Sequence, residues 1–262
     1  ASMKEAGVGM IVNVAASYES CFEVPKLAEK YPFMYAAVGV HPDEVGDLNE
    51  ETFARMKEQF KLDKVVAVGE IGLDYYWDNE PHEIQKKWFI RQLDLARELD
   101  PQKRPCTLVS MMNPNFREDC SLKLSDVICL NRYYGWYMAG GDLEQAEEVL
   151  KGELDFWQST GKPVMFTEYG ADTILGMRDT LPTLYSEEYQ IAYYKMNHKV
   201  FDEHSCVVGE QVWNFADFAT SQSLLRVQGN HKGIFTRDRK PKMAAYYLKS
   251  RWKKIPDFDY KS

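Results

Sequence analysis

The sequence lacks the features that mark a membrane protein, a secreted protein or a zinc protein. It contains no run of about 18 apolar residues, so no membrane span is expected. Its first residues, ASMKEAG, contain no apolar signal region. The cysteines form no CxxC pair, which argues against a zinc knuckle and a disulfide framework: Cys21, Cys106, Cys120, Cys129 and Cys206. We therefore expect a cytoplasmic protein with reduced thiols.

An excess of positive charge is also absent. The formal net charge is −8 at pH 7, which argues against a broad polyanion-binding surface. We therefore expect no nucleic-acid partner. Histidine is scarce as well, and four of the five histidines lie in predicted loops or helices, where packing or exposure is the usual role: His82, His198, His204 and His231.

Short apolar segments alternate with amphipathic ones along the chain. The apolar segments predict buried strands at Ile11–Val14, Tyr35–Val40, Val65–Glu70, Thr107–Met112, Asp126–Tyr133, Val164–Tyr169 and Val207–Trp213. The amphipathic segments predict helices at Glu83–Leu99, Asp142–Trp157 and Ser186–Asp202. This alternation predicts an α/β fold of the (β/α)8 TIM-barrel type. Because such a barrel has eight strands, we expect the first strand to be missing, and the open sheet edge invites pairing into a homo-oligomer.

One carboxylate stands at the end of a predicted strand. The segment VMFTEYG, residues 164–170, is an apolar run that ends at Glu168 and is followed by a glycine. In parallel α/β barrels the catalytic groups lie at the C-terminal ends of the strands. Glu168 is therefore a candidate nucleophile or proton donor. The alternative is a helix cap or a loop salt bridge, which is the commoner role of an isolated glutamate.

Residues 3–99 resemble the TatD family of metal-dependent deoxyribonucleases. The matching segments are IVNV at 11–14, AAVGVHP at 36–42 and VGEIGLDYY at 68–76. The resemblance implies a metal-ligand role for Glu70. The family's N-terminal His-x-His pair is absent, and no later histidine matches its ligands. Because one carboxylate cannot hold a catalytic divalent ion, we expect neither a bound metal nor another cofactor.

The rest of the chain, residues 100–262, resembles the catalytic barrel of family 2 β-glucuronidases. The matching segments are DVICLNRYYGWY at 126–137, TEYG at 167–170, GEQVWNFADF at 209–218 and NHKGIFTR at 230–237. The resemblance implies that Glu168 is the nucleophile and that a small-molecule glucuronide is the substrate. It also implies a set of substrate-binding residues: Asn131, Tyr133, Tyr137, Trp213, Asn230 and Lys232.

These residue types suit the implied chemistry. An ammonium and an amide, from Lys232 and Asn230, match an anionic uronate. A retaining glycosidase also needs a carboxylic acid about 5–5.5 Å from the nucleophile. In the family this acid lies in an Asn-Glu-Pro motif before the region of resemblance. The candidates here are Glu70, which ends a predicted strand, and Glu80 of Asn79-Glu80-Pro81, although Pro81 fits equally well as a first helical residue.

The sequence therefore predicts one barrel domain assembled from two families. Residues 1–99 would supply strands 2–4 from a TatD-like barrel, and residues 100–262 would supply strands 5–8 from a glucuronidase-like barrel. The predicted function is retaining hydrolysis of β-D-glucuronides, with weak or no activity in the hybrid. The alternatives are a TatD-like metal-dependent nuclease that uses Glu70, and an inactive hybrid scaffold.

Overall fold

Strands and helices alternate along the described chain, as the sequence predicts. The computed structural model describes residues 9–77, 79–112, 115–119 and 122–255. The chain divides into an N-terminal unit, Ala1–Arg104, and a C-terminal unit, Pro105–Ser262. Each unit has its own parallel sheet, in which the strands stand in chain order. This order is typical of the singly wound sheets of α/β barrels rather than of doubly wound folds.

The described part of the N-terminal unit contains one sheet and three α-helices. Strands β1, β2 and β3 span Ile11–Val14, Met34–Val38 and Val65–Val68. Helices α1, α2 and α3 span Ser20–Lys30, Glu50–Lys57 and His82–Leu99, and 3-10 helices span Pro42–Asp47 and Glu58–Lys61. Helix α2 begins with a capping box between Asn49 and Thr52, which satisfies its first backbone N–H groups. The core of the unit combines Ala36 and Val38 of β2 with Trp88 of α3.

The described part of the C-terminal unit also contains one sheet and three α-helices. Strands β4, β5, β6 and β7 span Thr107–Ser110, Val127–Asn131, Val164–Glu168 and Val207–Glu210. Helices α4, α5 and α6 span Leu143–Ser159, Glu187–Glu203 and Met243–Trp252, and 3-10 helices span Phe116–Glu118 and Leu122–Leu124. Two helices begin at side-chain caps: Asp142 accepts the N–H of Gln145 at 2.9 Å, and Ser186 accepts the N–H of Tyr189 at 3.0 Å.

The core of the C-terminal unit lies between its sheet and helices. Helix α4 buries Leu150 and Leu154, and strand β6 buries Phe166, whose ring stacks on Phe201 of α5 with centroids 4.0 Å apart. Each fully buried side chain of this size stabilises the fold by about 1.5–3 kcal/mol. Strand β6 is thereby held rigidly at the centre of the unit.

The predicted strands are present, but several end earlier than predicted. The segment Asp126–Tyr133 is strand only at Val127–Asn131, and the segment Val164–Tyr169 only at Val164–Glu168. The apolar pattern continues because residues beyond the strand ends are also buried, with Tyr169 fully inaccessible. A hydrophobic run therefore marks burial and not the end of the hydrogen-bonded ladder.

Two further expectations concern membranes and cysteines. Among the described residues, no helix combines the length and apolar character needed to cross a bilayer. Cys120 lies outside the described residues, whereas Cys21 and Cys129 are buried.

Candidate active site

The candidate site of the C-terminal unit is built on the ends of β5 and β6. Asn131 ends β5 and Glu168 ends β6, and a register shift makes these two residues partners across the strands. The extra residue on β6 is Thr167, whose hydroxyl donates to Asn131 Oδ1 at 2.7 Å. The backbone N–H of Arg132 donates to the carbonyl of Glu168 at 2.8 Å. The bulge thus brings an amide and a carboxylate side by side at the C-terminal edge of the sheet.

Glu168 is paired with a tyrosine hydroxyl. The hydroxyl of Tyr133, two residues beyond β5, donates to Glu168 Oε2 at 2.6 Å. Burial raises the pKa of Glu168 above its usual value, while hydrogen bonds from Tyr133 and Asn131 act in the opposite direction. Burial and the bond to Glu168 also raise the pKa of Tyr133, so the phenol keeps its proton and acts as the donor. The arrangement fixes the direction of one carboxylate oxygen.

A second strand-ending carboxylate has a different environment. Glu210 ends β7, and its carboxylate accepts from Arg251 Nε at 2.8 Å and from Trp252 Nε1 at 2.8 Å. Burial alone would raise the pKa of Glu210, but the hydrogen bonds from Arg251 and the nearby His198 and Trp252 lower it below its usual value. Because its oxygens are bound by a cation, Glu210 is suited to a structural role.

Lys232 occupies an enclosure formed by aromatic rings. Its side chain is fully buried and forms an ion pair with Asp172. Its Nζ donates to the hydroxyl of Tyr137 at 2.9 Å. The same Nζ lies 4.5 Å, 5.2 Å and 5.8 Å from the ring centroids of Tyr137, Trp136 and Tyr133. These three rings, the aromatic enclosure, hold a cation away from water.

Tyr133 connects the two halves of the site. Its hydroxyl binds Glu168, and its ring forms one wall of the aromatic enclosure around Lys232. A candidate nucleophile and a candidate anion-binding group therefore both contact the side chain of Tyr133.

Asn230 and Trp213 lie on the loop segments that follow β7. Asn230 is buried, and its Oδ1 accepts the backbone N–H of Lys232 at 3.1 Å. The N–H of Trp213 donates to the carbonyl of Tyr169 at 2.9 Å. A Cβ atom at Gly170 would overlap the carbonyl oxygen of Trp213, so only glycine permits this approach. Gly170 thus allows the Trp213 segment to pack next to the loop that begins at Glu168.

Two residues of the site were not predicted from the sequence. Asp172 binds Lys232, and Arg226 Nη2 donates to the hydroxyl of Tyr137 at 3.4 Å. That hydrogen bond, more than any charge, raises the pKa of the Arg226 guanidinium. The position of Asp172, four residues after the strand-ending Glu168, was a usable signal because loops after barrel strands carry functional groups. Arg226 stands in an exposed loop and gave no such signal.

A buried ion pair supports the site from below. Arg132 and Glu153 are both fully buried, and Glu153 also accepts from the hydroxyl of Tyr134 at 2.7 Å and from Trp157 Nε1 at 3.0 Å. Arg132 Nη1 donates to the carbonyl of Ser110 at the end of β4, at 2.7 Å. The pair therefore connects β4, the end of β5 and helix α4 directly beneath the candidate site.

The acid/base candidates lie in the N-terminal unit. The side chain of Glu70 is 60% exposed, and its Oε1 lies 4.0 Å from Nε2 of His41. The carboxylate of Glu80 packs against Gly46. Pro81 is the residue that precedes helix α3, and not its first helical residue as the sequence suggested. The assignment of the acid to Glu70 or Glu80 stays a prediction.

The histidines have neighbours typical of packing. His82 stacks on Tyr75, and His198 lies between the hydroxyls of Tyr169 and Tyr247, at 2.8 Å from each. Burial lowers the pKa of His198 to about 4. In the part of the chain that the structure describes, no three His, Cys, Asp or Glu side chains are grouped as a metal site requires.

Two protein families match the chain. Residues 76–256 match the family described as "Glycosyl hydrolases family 2, TIM barrel domain". Residues 1–102 match "TatD related DNase". The two matches overlap over helix α3, so both families fit the helix at which the two parts of the chain meet. They confirm the predicted hybrid resemblance and the TIM-barrel type of fold.

The similar proteins named below are all β-glucuronidases. A β-glucuronidase of Streptococcus agalactiae is 49% identical over 188 residues, 70% of this chain and 31% of the relative. The β-glucuronidase of Chlorocebus aethiops is 46% identical over 163 residues, 61% of this chain and 25% of the relative. The solved structure of a Bifidobacterium dentium β-glucuronidase, complexed with coumarin-3-O-glucuronide, matches with a TM-score of 0.69 and 38% sequence identity. This match covers 95% of the present chain and 42% of the B. dentium chain. The chain thus spans less than half the length of each.

Proposed function

Because the chain belongs to glycosyl hydrolase family 2 through its TIM-barrel domain, we propose that it hydrolyses β-D-glucuronides with Glu168 as the nucleophile. The observation that carries the proposal is the position of Tyr133, whose hydroxyl binds Glu168 and whose ring forms one wall of the aromatic enclosure around Lys232. Tyr133 thus links the proposed nucleophile to the proposed anion-binding group, and this link supports an anionic sugar as the substrate. The β-glucuronidase relatives support the same substrate class.

The proposed reaction has two steps. In the first, an oxygen of Glu168 attacks the anomeric carbon while the bond from that carbon to the leaving oxygen breaks. A carboxylic acid gives its proton to the leaving oxygen. In the second step, water attacks the anomeric carbon, returns a proton to the same acid and releases Glu168. Retention of configuration follows from the two successive displacements.

The surrounding residues recognise and orient the sugar. The ammonium of Lys232 and the amide of Asn230 bind the uronate carboxylate. The indole of Trp213 and the ring of Tyr137 provide apolar surface for the sugar ring. The hydroxyl of Tyr133 keeps the attacking carboxylate in one orientation. The identity of the proton donor stays a prediction from the sequence, with Glu70 ahead of Glu80.

The proposal is tested with an aryl β-D-glucuronide and two matched variants. Glu168→Gln is nearly isosteric but cannot attack as an anion, so hydrolysis should fall to background while the fold persists. Glu210→Gln is the control, because Glu210 also ends a strand but is bound by Arg251. We expect it to keep wild-type turnover, since its side-chain partners in the described part of the chain are Arg251, Trp252 and His198. Circular dichroism of both variants checks the fold.

The leaving group separates a complete site from an incomplete one. An aryl leaving group needs little protonation, so its glucuronide is hydrolysed even with a badly placed acid. An alkyl glucuronide should then react about 10²–10⁴ times more slowly. If aryl turnover persists unchanged in Glu168→Gln, the mechanism is wrong. If wild type neither binds nor hydrolyses glucuronides, the inactive scaffold is the better description. Residence in the cytoplasm and association through the open sheet edge stay predictions from the sequence.

A further inference from the structure

Asp172 is a buried carboxylate in the loop that follows β6. One of its oxygens forms the ion pair with Lys232, and the other accepts the backbone N–H of His231 at 2.6 Å. Its side chain is 1% exposed, so neither interaction is diluted by water. Both oxygens thus have fixed partners, and the carboxylate cannot rotate freely.

Among the described residues, the ammonium of Lys232 donates to two groups. Of its three N–H groups, one is engaged by Asp172 and one by the hydroxyl of Tyr137 at 2.9 Å. The rings of the aromatic enclosure surround the remaining space. With two donors fixed, the direction of the third is fixed as well.

We propose that Asp172 is a positioning residue that holds the ammonium of Lys232 in place and aims its third N–H at the sugar carboxylate, and so determines the selectivity for anionic sugars. This inference rests on the proposed function and deepens it. The physical reason is that a buried charge needs a partner, and the fixed carboxylate of Asp172 is the partner of the Lys232 ammonium. Asp172 therefore keeps Lys232 in the orientation that binds an anion.

Asp172 also sets the net charge that the substrate meets. In the empty site, Lys232 and Asp172 neutralise each other, so a buried cation is tolerated without a ligand. The remaining positive charge comes from Arg226, which reaches the hydroxyl of Tyr137. Arg226 is thus a positive charge beyond the balanced pair of Lys232 and Asp172, and the carboxylate of Glu168 contacts the hydroxyl of Tyr133.

The other charged groups near Asp172 and Lys232 have partners of their own. On one side, Glu168 is separated from Lys232 by Tyr133. On the other side, His231 Nδ1 lies 3.2 Å from a carboxylate oxygen of Asp217. Asp217 also accepts a hydrogen bond from Lys242 Nζ at 2.8 Å, so His231, Asp217 and Lys242 form a second group of charged side chains. Among the described residues, Asp172 is the carboxylate that Lys232 contacts.

The test compares the binding of phenyl β-D-glucuronide and phenyl β-D-glucoside to the full chain from pH 5.5 to 9. Binding needs no proton donor, so the result does not depend on turnover. We expect wild type to prefer the glucuronide over the whole range. In Asp172→Asn the preference should fall by about 10- to 100-fold at every pH, the effect of losing one charged hydrogen bond to the sugar. Glucoside binding should stay within about twofold.

Two further variants separate charge from structure. Asp217→Asn removes a carboxylate from the comparable buried pair with Lys242, and it should leave the glucuronide preference intact at every pH. Asp172→Glu keeps the charge, so it should keep a preference that is independent of pH, even if Asp172→Asn fails to fold.

The outcomes distinguish the inference from the proposed function. A wild-type preference that Asp172→Asn retains, or an equal loss of glucoside binding, would overturn the inference and leave the proposed function standing. The same holds if Asp172→Glu loses the preference as strongly as a neutral substitution is expected to. Absence of any preference in wild type would overturn both.

Discussion

The hydrogen bond from Tyr133 to Glu168 leads to a specific prediction for Tyr133→Phe. The substitution removes one hydroxyl and keeps the ring that forms a wall of the aromatic enclosure. Burial already raises the pKa of Glu168, and the Tyr133 hydroxyl is one of the two hydrogen bonds that oppose this effect. Without it, the Asn131 amide alone favours the ionised carboxylate. We therefore expect the pKa of Glu168 to rise further.

The size of the effect follows from the type of bond. A hydrogen bond to a charged group contributes about 1.5–3 kcal/mol. Its loss changes the ratio of ionised to protonated Glu168 by about 10- to 100-fold at a given pH. Because the ionised carboxylate is the attacking form, activity disappears as the pH falls through its pKa. A raised pKa moves this loss to higher pH, so Tyr133→Phe should be impaired far more at pH 5 than at pH 8.

Two measurements check this prediction. The first is the pH dependence of kcat/KM for an aryl β-glucuronide. The second is a 13C NMR titration of glutamate carboxyl carbons, with the Glu168 signal assigned by its loss in Glu168→Gln. The matched control is Tyr134→Phe, since the neighbouring hydroxyl donates to Glu153 at 2.7 Å. An acid limb that stays in place in Tyr133→Phe, or moves equally in Tyr134→Phe, would refute the argument.

Two further predictions concern stability and metal binding. Glu153→Ala leaves Arg132 buried without its partner and should lower the free energy of unfolding by about 3–5 kcal/mol. The control Glu147→Ala, which removes a partly exposed ion pair, should lower it by at most about 1 kcal/mol. Equal losses for the two variants in urea denaturation would contradict this prediction. Calorimetric titration with Zn²⁺ or Mg²⁺ should reveal no tight site at His41 and Glu70, and a stoichiometric site abolished by Glu70→Gln would show otherwise.

Local patterns were sufficient to predict most of the secondary structure. Strand β1 begins and ends at the predicted residues, and helix α3 begins one residue before the predicted start. Strands buried on both faces appear as short apolar runs, and helix starts carry caps such as Asp142 and Ser186. These signals are local, so a single sequence contains them.

The network around the candidate site was not predictable in the same way. Asp172 and Lys232 are 60 residues apart, and Arg132 and Glu153 are 21 residues apart. Neither pair has a spacing that marks a partnership. The motifs identified the residue types at the site, but the partner of each buried charge is set by how the loops pack. The roles of the individual site residues therefore stay predictions, although their neighbours are now known.

The bulge at Thr167 makes the candidate nucleophile depend on the length of β6 as well as on its composition. Side chains alternate between the two faces of a strand, and the extra residue lets Glu168 take the position opposite Asn131. Deleting Thr167 would remove the bulge and the hydroxyl that donates to Asn131, and Glu168 would then point to the opposite face of the strand from Phe166. Insertions and deletions in this strand should therefore be tolerated less well than substitutions at its buried positions. Homologous chains that differ in length should place their differences in the loops and not between Val164 and Glu168.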